Sequence, residues 1–553
     1  MSRKGRKAAP PALFASVPKS WGCFAALSRH KAAPTRDRAC RHGQLTPISS
    51  SNCKLLLFKL THPAKLARRF FAHAQDFRCP CRCPDSPPCC WPYALAACDD
   101  APRFTQAEPG EALSGGKATV QRTDRNAYSL PSANLSPERR LDFAVGNSFF
   151  RNPWVIAPST TTARDGLGPL FNTNACQNCH VRDGRGHPPE PGDSNAVSML
   201  VRLSIPDQPY LAKVVERLGV VPEPVYGTQL QDMAIPGVTP EGKVRVSYTS
   251  ETVSFEDGHQ VELRKPALQI TQLGYGVMHP DTRFSARVAP PMIGLGLLEA
   301  IPEADLLANE DPDDRNRDGI RGRANRVWDD AQGKTVVGRF GWKAGQPNVN
   351  QQNVHAFAGD MGLTTTLQPN DDCTPAQADC LAAPNGDGAD GEKEVSDNIL
   401  RLVTFYTRNL AVPARRDVGS PQVLAGKNLF YQAGCQGCHT PQFTTAANAA
   451  EPELANQLIR PYSDLLLHDM GPGLADERTE FAANGQDWRT PPLWGIGLSE
   501  TVSGHSQFLH DGRARNLLEA VLWHGGEAES ARNFVLTFNA EQRAALLAFL
   551  NSL

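Results

Sequence analysis

The sequence predicts a mainly α chain with irregular loops and some short β, built as two units of which the first is enlarged by insertions. Three observations carry that reading. Residues 176–180 and 435–439 share the spacing CxxCH, with 259 residues between their first cysteines. Apolar residues recur at helical spacing in Ile399, Leu400, Leu402, Val403, Phe405 and Tyr406, and again over residues 539–550. Between about 195 and 300, Val-, Leu- and Thr-rich runs such as residues 244–248 and 260–263 alternate with turn residues, as short strands do.

A chain of 553 residues with 40% apolar residues can bury sizeable cores. It holds no run of 18 apolar residues, and its 45 Gly and 45 Pro are only modestly above average, so a polytopic membrane protein and a collagen-like chain are excluded. The net charge of −1 conceals two unlike segments. Residues 1–98 carry 17 Lys and Arg against three acids, whereas residues 99–553 carry 40 against 55, a net of −15. Nine of the 15 cysteines fall in the basic segment. That segment lacks helical or strand periodicity and ends in Leu95, Ala96, Ala97 and Cys98, like a lipobox whose cysteine is lipidated after export. Residues 1–98 are therefore expected to be a leader that is processed, or not translated at all.

Residues 99–134 are polar and contain Gly and Pro, as a tether does. Ser136 followed by Pro137 gives a helix start, and order is expected from there. An N-terminal unit over residues 135–395 would close on a linker-like stretch at 382–395, and a C-terminal unit over 396–553 would end in an amphipathic helix.

Composition predicts only about 0.01 CxxCH matches in such a chain, so two are not accidental. Thiols three residues apart on one turn reach the two vinyl groups of a haem, and the following imidazole swings under the ring to bind iron. Cys176, Cys179 and His180, and Cys435, Cys438 and His439, are accordingly expected to hold two covalently bound c-type haems, making the units cytochrome-like haem domains. The competing readings are a Cys₄ zinc site, a redox dithiol or two disulfides. Zinc leaves the two following histidines without a role, and the βαβ context of a redox dithiol is missing. Cys373 and Cys380 have no neighbouring histidine, and a local disulfide is their simplest account. Asp314, Asn316, Asp318 and Gly319 match the first, third, fifth and glycine positions of a calcium loop, but Asn325 stands where its final Glu belongs. Ca²⁺ there competes with a solvated acidic turn.

Several longer runs occur in order: residues 168–186 (GPLFNTNACQNCHVRDGRG), 294–301 (GLGLLEAI), 338–344 (GRFGWKA), 461–471 (PYSDLLLHDMG) and 489–497 (RTPPLWGIG). With these, residues 99–553 resemble the bacterial di-haem oxidoreductases, a family labelled peroxidase-like or "thiol oxidoreductase". A more distant similarity, at residues 508–514 (FLHDGRA) and 517–521, is to di-haem cytochrome c peroxidases and the di-haem enzyme that matures methylamine dehydrogenase. In those enzymes the residue fourteen positions after the His of HDG is the second axial ligand of the C-terminal haem. Counting from His510 reaches His524, so the resemblance implies that His439 and His524 together ligate the second haem, with Met470 as rival. It further implies that Gln352 and Asp360 line the pocket above the first haem. Here eight residues separate them, and the acid is Asp rather than Glu. Arg489 or Arg513 would pair with haem propionates, or else stand on a solvated face.

The expected function is a peroxidase-like oxidoreductase in which the His180 haem meets the oxidant and the bis-His haem stores and relays an electron. The alternatives are a purely electron-transferring cytochrome and an oxidase of a protein or thiol substrate, with Cys373 and Cys380 as relay or bystanders. Export and haem attachment point to the periplasm, with Cys98 a lipid anchor. The net of −15 favours a small basic cytochrome as electron donor. No nucleic-acid partner is expected.

Overall fold

Ser136 leads the chain into the helix Arg139–Arg151, the Arg140 amide donating to the Ser136 carbonyl at 3.1 Å. This helix packs against Asp397–Arg408, which is capped by the Ser396 side chain and buries Ile399, Leu400, Leu402, Val403, Phe405 and Tyr406. The close crossing depends on Gly146, because a Cβ there would run into the Leu402 carbonyl. A second pair repeats the device. Pro421–Gln432 lies against Ala540–Ser552, which starts in a capping box of Asn539 and Gln542, and a Cβ at Gly426 would strike the Ala545 carbonyl.

This computed structural model describes residues 103–553 except 191, 194–196 and 389. The basic leader and Cys98, with the processing expected of them, lie outside the described residues. Among the described residues no helix exceeds 13 residues, and strands form six two-stranded antiparallel pairs. The expected mainly α chain is thus a mixed one, because frequent Gly and Pro keep every element short. The expected strands are present. The longest pair runs Lys243–Ser254 against Gln260–Thr271, and Met199–Ser204 pairs with Arg283–Val288. No described helix is long and apolar enough to cross a membrane.

The tether expected over 99–134 is instead packed from its first described residues. Ala118, Ala127 and Tyr128 are buried, and Glu111 accepts a hydrogen bond from Lys427 Nζ at 2.7 Å while also pairing with Arg415. Its polar composition misled because the partners of Glu111 lie some 300 residues away.

The described residues form one compact unit. One apolar core joins Met199, Val201, Tyr226 and Val244 to Phe430, Trp488, Phe549 and Leu550, so it crosses the expected boundary at 395/396. Lys343 crosses it too. This lysine is fully buried and donates to Asp476 Oδ1 at 2.7 Å and to the Arg478 and Asn484 carbonyls at 2.8 Å. The stretch 382–395 is tied down at its end by buried Glu394, which accepts from the Thr364 amide at 2.8 Å. Cys373 and Cys380 form the expected disulfide, with a Cα–Cα distance of 5.8 Å.

Candidate functional site

Both CxxCH segments open into one cavity of about 700 Å³, bordered by Cys176, Cys179, His180, Cys435, Cys438 and His439. Each segment closes a single turn. The His180 amide donates to the Cys176 carbonyl and the His439 amide to the Cys435 carbonyl, both at 3.0 Å, so two thiols and an imidazole share one side. All four thiols are free, although the same chain bridges Cys373 to Cys380. Burial pushes the Cys176 and Cys435 thiols up to about 12 and raises Cys179 and Cys438 as well. Such thiols are protonated at neutral pH and lack the thiolate character of a redox dithiol. Among the described residues no group of three or more His, Cys, Asp or Glu could hold a metal ion, which sets aside the Cys₄ zinc site.

The imidazoles share one arrangement. His180 Nδ1 bonds the Pro290 carbonyl at 2.8 Å, His439 Nδ1 the Tyr462 carbonyl at 2.9 Å, and His524 Nδ1 the Ala520 carbonyl at 2.8 Å. Those bonds fix each ring and leave Nε2 as the atom able to ligate iron. Burial pushes His180 and His439 down to about 4 and lowers His524, keeping the rings neutral. His524 and His439 are near enough for a charge on His524 to depress His439 further. Met470 also borders the cavity. Its neighbour His468 is no candidate, since Nε2 pairs with Asp464 and Nδ1 with Glu527, both at 2.8 Å. Burial opposes a charge on His468, and the Asp464 carboxylate overrides it, holding the ring cationic well above the usual value.

Gln352 and Asp360 lie on the helix Val349–Met361, two four-residue steps apart with Ala356 between, and all three border the cavity. The helix starts at the Asn348 cap and stops at Gly362, whose φ of 63° suits glycine. Its end is fastened beside the first pentapeptide, because the Asp360 carbonyl accepts the Asn172 amide at 2.8 Å and the Thr173 amide at 3.1 Å. Asp360 Oδ1 accepts from Gln229 Nε2 at 2.9 Å, and burial pushes the carboxyl above its ordinary value.

The calcium expectation is not met among the described residues. Asp314 Oδ1 accepts the Gly319 amide at 3.1 Å, Asp318 Oδ1 accepts the Ile320 amide at 2.8 Å, and Asn316 donates its side-chain amide to Asp318 at 2.9 Å. Oxygens spent on a turn do not converge on a cation. The loop covers the second pentapeptide instead, with Ile320 against Gly437.

The cavity and donor set fit two c-type haems: paired free thiols beside an oriented imidazole at each turn, and apolar walls from Phe150, Met292, Phe430, Leu546 and Leu550. A family model described as "Di-haem oxidoreductase, putative peroxidase" matches residues 110–553. The chain belongs to this family. As a di-haem oxidoreductase it matches no curated protein. Among solved structures it aligns with the xenon-pressurized hydrazine synthase of Kuenenia stuttgartiensis at 12% identity and a TM-score of 0.28, covering 79% of this chain and 96% of that one.

Sequence reasoning missed two side chains of the di-haem oxidoreductase's cavity wall. Arg185 is buried there, and Trp488 stacks on His510 with ring centroids 3.6 Å apart. Arg185 lies inside the 168–186 run, but the lack of a carboxylate partner that singles it out on the cavity wall is a property of the fold.

Proposed function

We propose that this chain is a peroxidase-like oxidoreductase carrying two c-type haems, one at residues 176–180 and one at 435–439, with an electron relay between them. One observation carries the reading: two CxxCH turns with free thiols and pre-oriented imidazoles open into the same cavity. When bound, the haems supply one-electron redox chemistry at their irons. His180 gives Nε2 to the first, and His439 and His524 give theirs to the second. His355, another imidazole on the cavity wall, is spent, with Nε2 on Asp330 at 3.0 Å and Nδ1 on Gln346 at 2.8 Å. It therefore leaves the space beside Gln352 and Asp360 to a small oxidant. The Gln352 side-chain amide, which has no hydrogen-bond partner among the described residues, orients that oxidant. Asp360 moves a proton through Oδ2 from one peroxide oxygen to the other as the O–O bond breaks. Its raised pKa supports that role, because a carboxyl must hold the proton before passing it on.

The acidic balance of residues 99–553 supports docking of a small basic cytochrome as donor, and the lipobox-like run Leu95 to Cys98 supports a periplasmic location with Cys98 as lipid anchor. Neither Cys373 nor Cys380 borders the cavity, which favours a bystander disulfide over a thiol relay. Electron paramagnetic resonance of the oxidised protein tests the reading. It expects one low-spin and one high-spin ferric signal, the latter changing on addition of cyanide. Two low-spin irons in both redox states would instead mark an electron-transfer cytochrome.

A further inference from the structure

The cavity wall carries two buried cations without a carboxylate. Arg185 is 7% exposed and Arg489 is 8% exposed. Arg185 donates from Nη2 to the Leu509 carbonyl at 2.9 Å, while its buried Nε has no partner among the described residues. Arg489 donates from Nε to the Gly341 carbonyl at 2.8 Å and from Nη1 to the Thr490 carbonyl at 3.2 Å, leaving Nη2 without a partner among the described residues. Asp464, the carboxylate nearest in effect to Arg489, is committed to His468. Burial without an anion pushes both guanidiniums down to about 10.

Most other buried cations behave differently. Lys343 pairs with Asp476, Arg415 and Lys427 with Glu111, Arg287 and Arg478 with Glu480, Arg543 with Asp257, and Arg513 with Asp511 at 2.8 Å. Arg339 and Arg460 also lack a carboxylate, but Arg339 spends one nitrogen on three carbonyls, Arg460 donates to the Gly110 and Pro109 carbonyls, and neither borders the cavity. An unpaired charge taken out of water costs several kcal/mol. Two such charges on the wall of one cavity mark a site whose anions arrive with its ligand.

Resting on the di-haem reading, we infer that Arg185 and Arg489 are the propionate-binding residues, Arg185 for the haem held at 176–180 and Arg489 for the haem held at 435–439. The assignment follows chain placement. Gly186, next to Arg185, donates its amide to the Ala289 carbonyl, beside the Pro290 carbonyl that orients His180. Arg489 ends the strand Asp487–Arg489, paired with Leu467–Asp469, and Asp464 just before that partner strand donates its amide to the Cys438 carbonyl. Both cations flank one segment, since Arg185 lies over the Trp342 ring at 5.8 Å and Arg489 bonds Gly341. Arg513, the other candidate from sequence, is already neutralised by Asp511.

The test uses the loaded full chain with R185Q, R489Q and the corresponding Lys variants. Intact mass first counts the haems. Wild-type protein without two covalent haems overturns the functional reading itself, separately from this inference. Redox titration then follows each haem. Removing a nearby cation favours the oxidised form, so R185Q lowers the potential of the first haem by at least tenfold in its reduction equilibrium, about 59 mV for one electron, and leaves the second in place. R489Q does the converse, and the Lys variants recover most of each shift. No shift, or equal shifts of both haems from either substitution, overturns the assignment. Should a Gln variant fail to load, a crystal structure of the loaded wild-type protein decides. A propionate oxygen within hydrogen-bond distance of each guanidinium is expected, and either one bonded only to protein or solvent overturns it.

Discussion

The two pentapeptides have the same spacing and the same turn, yet their surroundings differ in kind. Around residues 176–180 the cavity offers uncommitted polar groups, the Gln352 amide and one oxygen of the Asp360 carboxyl. Around residues 435–439 it offers a second neutral imidazole, His524, and a wall in which the His468 cation is locked between two carboxylates under the 314–322 loop. On the proposed reading, identical motifs serve opposite ends, one open to chemistry and one closed around its iron. The motif would attach the cofactor, and the facing side chains would decide what the cofactor does.

The largest expected effect breaks the closed side. On the proposed reading H524G removes an axial ligand, so the second haem should change from low-spin to high-spin in the optical spectrum while the first keeps its signature. M470L leaves both spectra unchanged. The reverse pattern would move the ligand from His524 to Met470.

On the open side, D360N removes the proton carrier but retains an acceptor for Gln229. Peroxide-dependent turnover should fall by on the order of 10²–10⁴, the usual worth of a positioned acid or base, with both haem spectra and the second potential intact. Q352L should cost less, about tenfold, because one hydrogen bond to an oriented reactant is lost. An unchanged rate in D360N would place proton transfer elsewhere.

How far these differences could be read from sequence depends on the separation of the partners. The pentapeptides, the helix faces at 399–406 and 539–550 and the Cys373–Cys380 bridge are local, and spacing alone reports them. Gln352 and Asp360 were reachable only through the family resemblance, and the helix stripe that they share emerges from the fold. Glu111 was not, since its composition reads as tether while its partners are Arg415 and Lys427. Asp314, Asn316 and Asp318 have the composition of a cation loop, but which way their oxygens turn is settled by neighbouring amides. Arg185 stands out only by lacking a carboxylate on the cavity wall.

The two helix crossings allow a structural version of the comparison. G146A beside the first pentapeptide and G426A beside the second each force a methyl group against a facing carbonyl, and each should cost about 1–3 kcal/mol in denaturant unfolding. The helices that cross at Gly146 pack in the core of Phe143, Phe150 and Tyr406 and those at Gly426 in the core of Phe430 and Phe549, but both belong to one compact unit, so both substitutions should lower the same transition. Two separable transitions, each answering to only one glycine, would show that the halves unfold independently.

The smallest effect concerns two glutamates, both 1% exposed and both remote from the chemistry. Burial pushes Glu241, held by the Gln231 amide and Gln377, up to about 8. Burial would raise Glu111 as well, but Lys427 and Arg415 hold it below the ordinary value of 4.5. The pH dependences are therefore opposite. Glu241 keeps its proton when folded and releases it on unfolding, so between about pH 4.5 and 8 it makes the fold less stable as pH rises, by at most about 1.4 kcal/mol per unit. Glu111 is ionised when folded, so its stabilisation is present above pH 4.5 and lost as pH falls through its lowered folded value. Urea unfolding from pH 4 to 8 should then show E241Q gaining on the wild type as pH rises. E111Q should be the less stable variant at neutral pH, because two buried cations lose their shared anion, and its deficit should narrow only below about pH 4.5. Curves for E241Q that run parallel to the wild type would mean that Glu241 is already ionised in the fold, and that amide donors alone can hold a buried charge in the first region as cations do in the second.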